Sequence, residues 1–82
     1  MTLNLNQTIE RMKAEIMADV KAGVMPATVK DYSELHDFTD ANLYGLPEGY
    51  SFNNDDTDLL NAAQDAINAW IAAGGITEAV NV

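Results

Sequence analysis

Leu5, Ile9, Met12, Ile16 and Val20 recur at spacings of four, three, four and four, which places them on one face of a helix turning about 100° per residue. The pattern predicts a first helix over 5–22. Gly23 supplies the stop, because a left-handed residue after the last turn is cheapest as Gly. Pro26 then blocks continuation and biases Met25 toward extended backbone. A second helix is predicted over 32–44, opened by Asp31 with Glu34 three residues on, a variant of the capping box. Leu35, Phe38 and Asn42 fall on one side of it, with Tyr32 and Leu43 at the edge and Glu34, Asp37 and Asp40 opposite. Gly45 and Pro47 end that segment. A third helix is predicted over 57–73, with Leu60, Ala63, Ile67, Trp70 and Ile71 as its buried stripe, Leu59 flanking, and Asn61, Gln64, Asp65 and Asn68 as its wet face. Gly74-Gly75 terminates it, and the tail from Ile76 either docks through Ile76 and Val80 or frays.

Between the last two helices lies an irregular loop, 45–56. Tyr50 and Phe52 are too apolar for an idle linker and are expected to fold back on the core. A short strand at Tyr50–Phe52 would have no partner with which to make a sheet. No repeat or low-complexity tract interrupts the chain, so 1–82 is read as a single all-α, three-helix domain.

Charge changes this picture more than composition does. The 82 residues hold 13 Asp and Glu against 4 Lys and Arg, a formal net charge of −9. Arg11, Lys13, Lys21 and Lys30 all precede Asp31, and ten acids follow with no Lys or Arg among them. Direct binding to nucleic acid is disfavoured, since affinity for phosphates comes largely from clustered Lys and Arg. Anionic membrane surfaces are disfavoured for the same reason. A basic partner is what such a field attracts. At 48% hydrophobic residues the composition is that of a globular chain, not a disordered acidic tail. Its short length gives a small core, and the absence of Cys removes disulfides and thiolate metal sites as reinforcement. That absence also fits the cytosol better than a small secreted scaffold. Asn4, Asn6, Gln7 and Glu10 break the apolar run that a signal peptide needs, and no stretch approaches the ~20 apolar residues of a membrane span. The expectation is a soluble, cytoplasmic protein.

Catalytic patterns are sparse, and the expectation is a non-enzyme without cofactor or metal. Ser33 and His36 meet at i, i+3 on a helix surface, with Asp37 or Asp40 to orient the imidazole. Nucleophilic catalysis also requires an oxyanion site and a water-excluding pocket, for which so small a helical domain has little volume. Asn54, Asp56 and Asp58 alternate like the first ligands of a calcium loop. However, Leu59 stands where that loop needs Gly, and Asp65 where it needs a bidentate Glu. Helix capping explains these residues better. His36 stands alone as a nitrogen ligand, which argues against a structural transition metal.

The candidate site is therefore the acidic surface: Glu34, Asp37 and Asp40 on the second helix, extended by Asp55, Asp56 and Asp58, with Glu48 between. Advances of three residues give about 4.5 Å of rise per charge, against one charge per ~1.7 Å of duplex DNA. Imitation of a phosphate track thus requires several segments together. A surface built only for solubility usually intersperses both signs, and this one does not. Tyr44 and Tyr50, beside the turn 46–49, are the candidates for exposed aromatic contacts, while Phe38 and Trp70 are expected in the core. Met12, Met17 and Met25 are expected to fill core gaps, with a dimer seam along the first helix as the alternative use.

The segment Pro26-Ala27-Thr28-Val29, followed by Tyr32-Ser33-Glu34-Leu35-His36-Asp37-Phe38-Thr39-Asp40-Ala41-Asn42-Leu43-Tyr44-Gly45, resembles the middle of short uncharacterised acidic proteins of phages and plasmids. Leu60-Asn61-Ala62-Ala63-Gln64 with Trp70 is similar to how those proteins end. The resemblance brings no functional motif. It implies a mobile-element accessory protein, a group that includes anti-CRISPR and anti-restriction inhibitors, some of them DNA mimics. The expected function is inhibition or modulation of a basic host protein, itself nucleic-acid-binding. The alternative is an assembly module acting through a homodimer or adaptor contact.

Overall fold

Asn4 opens α1 (Leu5–Lys21) by accepting the Gln7 N–H on its side-chain oxygen at 3.1 Å. One of the N–H groups that a helix start leaves without a partner is thereby satisfied. At the other end Gly23 takes φ +81°. The Gly23 N–H donates to the Val20 carbonyl at 3.2 Å and the Val24 N–H to the Asp19 carbonyl at 2.9 Å, the paired bonds of a Schellman motif. The predicted stop is therefore real, and the helix ends within a residue of its expected boundary.

The computed structural model describes residues 3–39, 44–47, 49–50 and 54–80, apart from the Val80 side chain. Among them are four helices and no strand: α1, α2 (Tyr32–Leu35), α3 (Thr57–Ala72) and α4 (Gly75–Val80), with a 3-10 turn at Asn54–Asp56 before α3. The all-α class expected from the sequence is what the chain adopts.

The second helix is the main correction. It was expected over 32–44 and lasts one turn. Its start is as read: the Glu34 N–H donates to Asp31 Oδ1 at 2.9 Å, and Glu34 Oε2 accepts from the Lys30 N–H at 3.2 Å. That is the capping box with its reach extended by one residue. Beyond Leu35 the chain tightens. The N–H groups of His36, Asp37 and Phe38 each bond three residues back, at 3.2, 3.1 and 3.1 Å. Two local causes favour this early end. Glu34 and Asp37 are like charges at i, i+3, and no basic residue stands in the last turn to offset the helix dipole. Asp40, Asn42 and Leu43 lie outside the described residues.

The start of α3 falls at Thr57 as expected, but Asp56 makes no side-chain cap. Thr57 Oγ1 instead donates to the Asn54 carbonyl at 2.9 Å. The tail beyond Gly74 docks: α4 forms and Ile76 is buried. Phe52 and residues 81–82 lie outside the described residues, and so does most of the stretch where a short strand was considered. Tyr50 is partly buried against the core, in line with the expected fold-back and against its use as an exposed contact.

The core sits between α1 and α3, with α4 closing one end and α2 resting on α3. Met12 and Ile16 of α1 meet Leu60, Ala63, Ile67 and Ile71 of α3, joined by Leu35, Met25, Val29 and Ile76. The buried face of α1 is turned from the one the spacing suggested. Thr8 is fully buried, whereas Leu5 is 39% exposed. The Thr8 methyl and Met12 form the wall against which Gly45 packs, a Cβ at position 45 falling 2.9 Å from each. The last two helices also meet closely, since a Cβ on Gly75 would lie 2.1 Å from Trp70 Nε1.

Candidate partner-binding surface

Some acids are taken up by hydrogen bonds within the fold and others face water, and Asp31 does both, its Oδ1 accepting from the Glu34 N–H at 2.9 Å. Glu15 and Asp19, on α1, hold the turn at Tyr44-Gly45. Glu15 Oε1 accepts from the Gly45 N–H at 3.3 Å, and Asp19 Oδ2 accepts from the Tyr44 hydroxyl. Burial raises the Glu15 carboxyl above its ordinary value and the nearby Asp19 charge adds to this, while the Gly45 N–H and Arg11 oppose both. Asp56 is drawn inward in the same way, accepting from the Tyr50 hydroxyl. Glu34 is half-buried and engaged in the α2 cap.

Asp31, Asp37, Asp55, Asp58, Asp65 and Glu78 are exposed. Of the seven acids named from the sequence, Asp37, Asp55 and Asp58 thus face solvent. Glu34 and Asp56 are partly taken up by the fold, and Asp40 and Glu48 lie outside the described residues. The one ion pair among the described residues is Lys13–Glu10 at 3.8 Å, near the start of the chain.

Along α3 the acids of its first turn and those of α2 are spanned by Asp65. The N-terminus of α2 docks through the Tyr32 N–H, which donates to Asn68 Oδ1 at 2.6 Å. Asn68 lies ten residues beyond Asp58, about 15 Å along the helix axis. The exposed Asp65 divides that distance, seven residues (about 10.5 Å) beyond Asp58 and one turn before Asn68. Asn68, assigned to the wet face from its spacing, is instead the docking point of α2. A lone polar residue one helical turn before the core position Ile71 carries no sequence signal for such a bond.

The aromatic assignments reverse. Tyr44 is 6% exposed and bonded to Asp19, so it is not an exposed contact. Burial first, then the Asp19 carboxylate, push its hydroxyl well above the ordinary phenol range. Tyr50 is partly buried and tied to Asp56, which raises its hydroxyl too. Phe38, expected in the core, is 44% exposed, because the helix that was to turn it inward stops at Leu35. Trp70 is half-buried, with Lys13 Nζ 5.6 Å from its ring centroid, a cation–π distance. It lines a shallow open hollow of about 350 Å³ with Ala73, Gly75, Glu78 and Ala79.

His36 is exposed and meets the Tyr32 ring edge-on, the ring centroids 5.9 Å apart. No group of three His, Cys, Asp or Glu able to hold a metal ion occurs among the described residues, and no described helix is long and apolar enough to cross a membrane. On α1, Met12 and Ile16 are buried within the chain, and Ile9 and Met17 pack partly against the same core. Comparison of the chain with protein-family models, with curated proteins and with solved structures gave no match.

Proposed function

We propose that the chain is a non-enzymatic binding protein of a phage or other mobile element, whose acidic surface occupies a basic surface on a nucleic-acid-binding host protein and modulates it. The carrying observation is the one-sided charge. Ten acids and no Lys or Arg follow Lys30, and Asp31, Asp37, Asp55 and Asp58 present theirs to solvent. The cytoplasm is where such a partner would be met. Because α2 lasts one turn and Asp58 and Asp65 stand seven residues apart on α3, the charge is too sparse for a phosphate-like track. The reading is therefore that of an inhibitor or modulator that contacts a basic surface at separate points, not a continuous imitation of a duplex.

Exposed charges accelerate encounter and are screened by salt. A complex of this kind weakens steeply as ionic strength rises, and replacing Asp37, Asp55 and Asp58 by Asn weakens it at low salt without unfolding the chain. The check is capture of basic host proteins by the wild type and by the triple variant across a salt series. Equal recovery by the two chains, or recovery indifferent to salt, overturns the proposal.

A further inference from the structure

Phe38 differs from the other large apolar side chains that the described structure exposes. Leu5 and Val24 stand singly at opposite ends of α1, and scattered surface residues of that kind are ordinary. Phe38 is aromatic and is held outward by a fixed base. Leu35, three residues earlier, has no exposed surface, and Tyr32 is buried beside it. The Tyr32 N–H is tied to Asn68 at 2.6 Å, while the N–H groups of Phe38 and Thr39 both bond the Leu35 carbonyl, at 3.1 and 3.0 Å. The turn that presents the ring is thus closed by its own hydrogen bonds and anchored on its N-terminal side.

The surroundings of the ring state the chemistry of what covers it. Asp37 beside it is exposed, and the sequence carries no Lys or Arg after Lys30. We propose that Phe38 is the apolar anchor of the partner contact, its ring entering an apolar pocket on a protein surface whose rim carries Lys or Arg. This rests on the acidic-surface reading above and adds to it the source of affinity. Complementary charge chiefly speeds encounter and fixes orientation, whereas a few buried aromatic side chains carry most of the binding energy at protein interfaces. With the backbone turn already formed, only the rotamer of the ring remains to be fixed on binding.

The test uses the full chain and two probe peptides of equal length and charge. One is an amphipathic helix with a Leu face and a Lys face; the other has every Leu replaced by Ser. The wild type is expected to bind the Leu–Lys peptide about tenfold more tightly than the Ser–Lys peptide. The difference is expected to vanish in Phe38→Ser, with the helical circular dichroism unchanged. A difference that survives in Phe38→Ser, or one absent from the wild type, overturns the anchor. In the second case, salt-sensitive binding of the Ser–Lys peptide leaves the acidic-surface reading standing alone. If neither peptide binds at low salt, both proposals fall.

Discussion

Gly23 and Gly45 have nearly the same backbone, with φ of +81° and +85°, and opposite surroundings. A Cβ at position 23 meets nothing within 4 Å, whereas at position 45 it falls 2.9 Å from Met12 Cε and from Thr8 Cγ2. Gly23→Ala is therefore expected to cost about 1 kcal/mol, the backbone penalty alone. Gly45→Ala is expected to cost about 2–4 kcal/mol, because overpacking adds to that penalty. Urea denaturation of the two variants measures the difference directly, and equal losses would show that the wall at Thr8 and Met12 yields. The neighbouring Tyr44 gives the fold an alkaline limit. Its hydroxyl holds its proton above the ordinary phenol value through burial and through Asp19, while in the unfolded chain it titrates near pH ~10. Above that pH the unfolded state releases a proton that the folded state retains. The stability carried by neutral Tyr44 is thus complete below pH ~10 and falls as the pH rises further. Tyr44→Phe is expected to lose about 1–2 kcal/mol at neutral pH, through the unpaired Asp19 carboxylate, and to show a shallower alkaline decline. Denaturation at a series of pH values, paired with ultraviolet titration of tyrosinate, checks both.

At the level of elements, α1 and α3 were legible because each is long enough for its apolar period to repeat several times. Their stops at Gly23 and Gly74 and the start at Thr57 follow from local chemistry. α2 was legible at its start and not at its end. Asp31 and Glu34 define the cap through residues three apart in sequence, but one turn gives no periodicity by which to judge where a helix stops. Such a turn does not persist alone, since nucleation fixes several dihedrals for a single hydrogen bond. Tertiary anchors hold it: Leu35 and Tyr32 in the core, and the Tyr32 N–H on Asn68. Asn68→Ala leaves that part-buried N–H without its acceptor and is expected to cost about 1–3 kcal/mol. The loss should be local, read as faster hydrogen exchange in 32–39 than in α1. Uniform acceleration over the whole chain would show that α2 does not open separately.

For the molecule as a whole, the net charge of −9 is spread over a body of 35 × 22 × 22 Å. Repulsion within so small a volume destabilises the compact state, and the Lys13–Glu10 pair at 3.8 Å is of the exposed kind that returns ~0–1 kcal/mol. Added salt screens the repulsion more than it weakens that attraction, so the urea midpoint is expected to rise with sodium chloride. A falling midpoint would show that attractive pairs govern the balance. The helical class, the two long helices with their stops, and the sign of the charge and its placement after Lys30 could be read from the chain alone. Each of these follows from chain-local periodicity, capping or simple counting. Only the tertiary structure decided which acids face water, that Tyr44 turns inward while Phe38 turns outward, and where the acidic groups lie relative to one another. Those outcomes depend on contacts between residues far apart in sequence, Tyr44 with Asp19 and Tyr32 with Asn68. Nothing in the spacing of residues along the chain encodes which distant partner a hydroxyl or an amide will find.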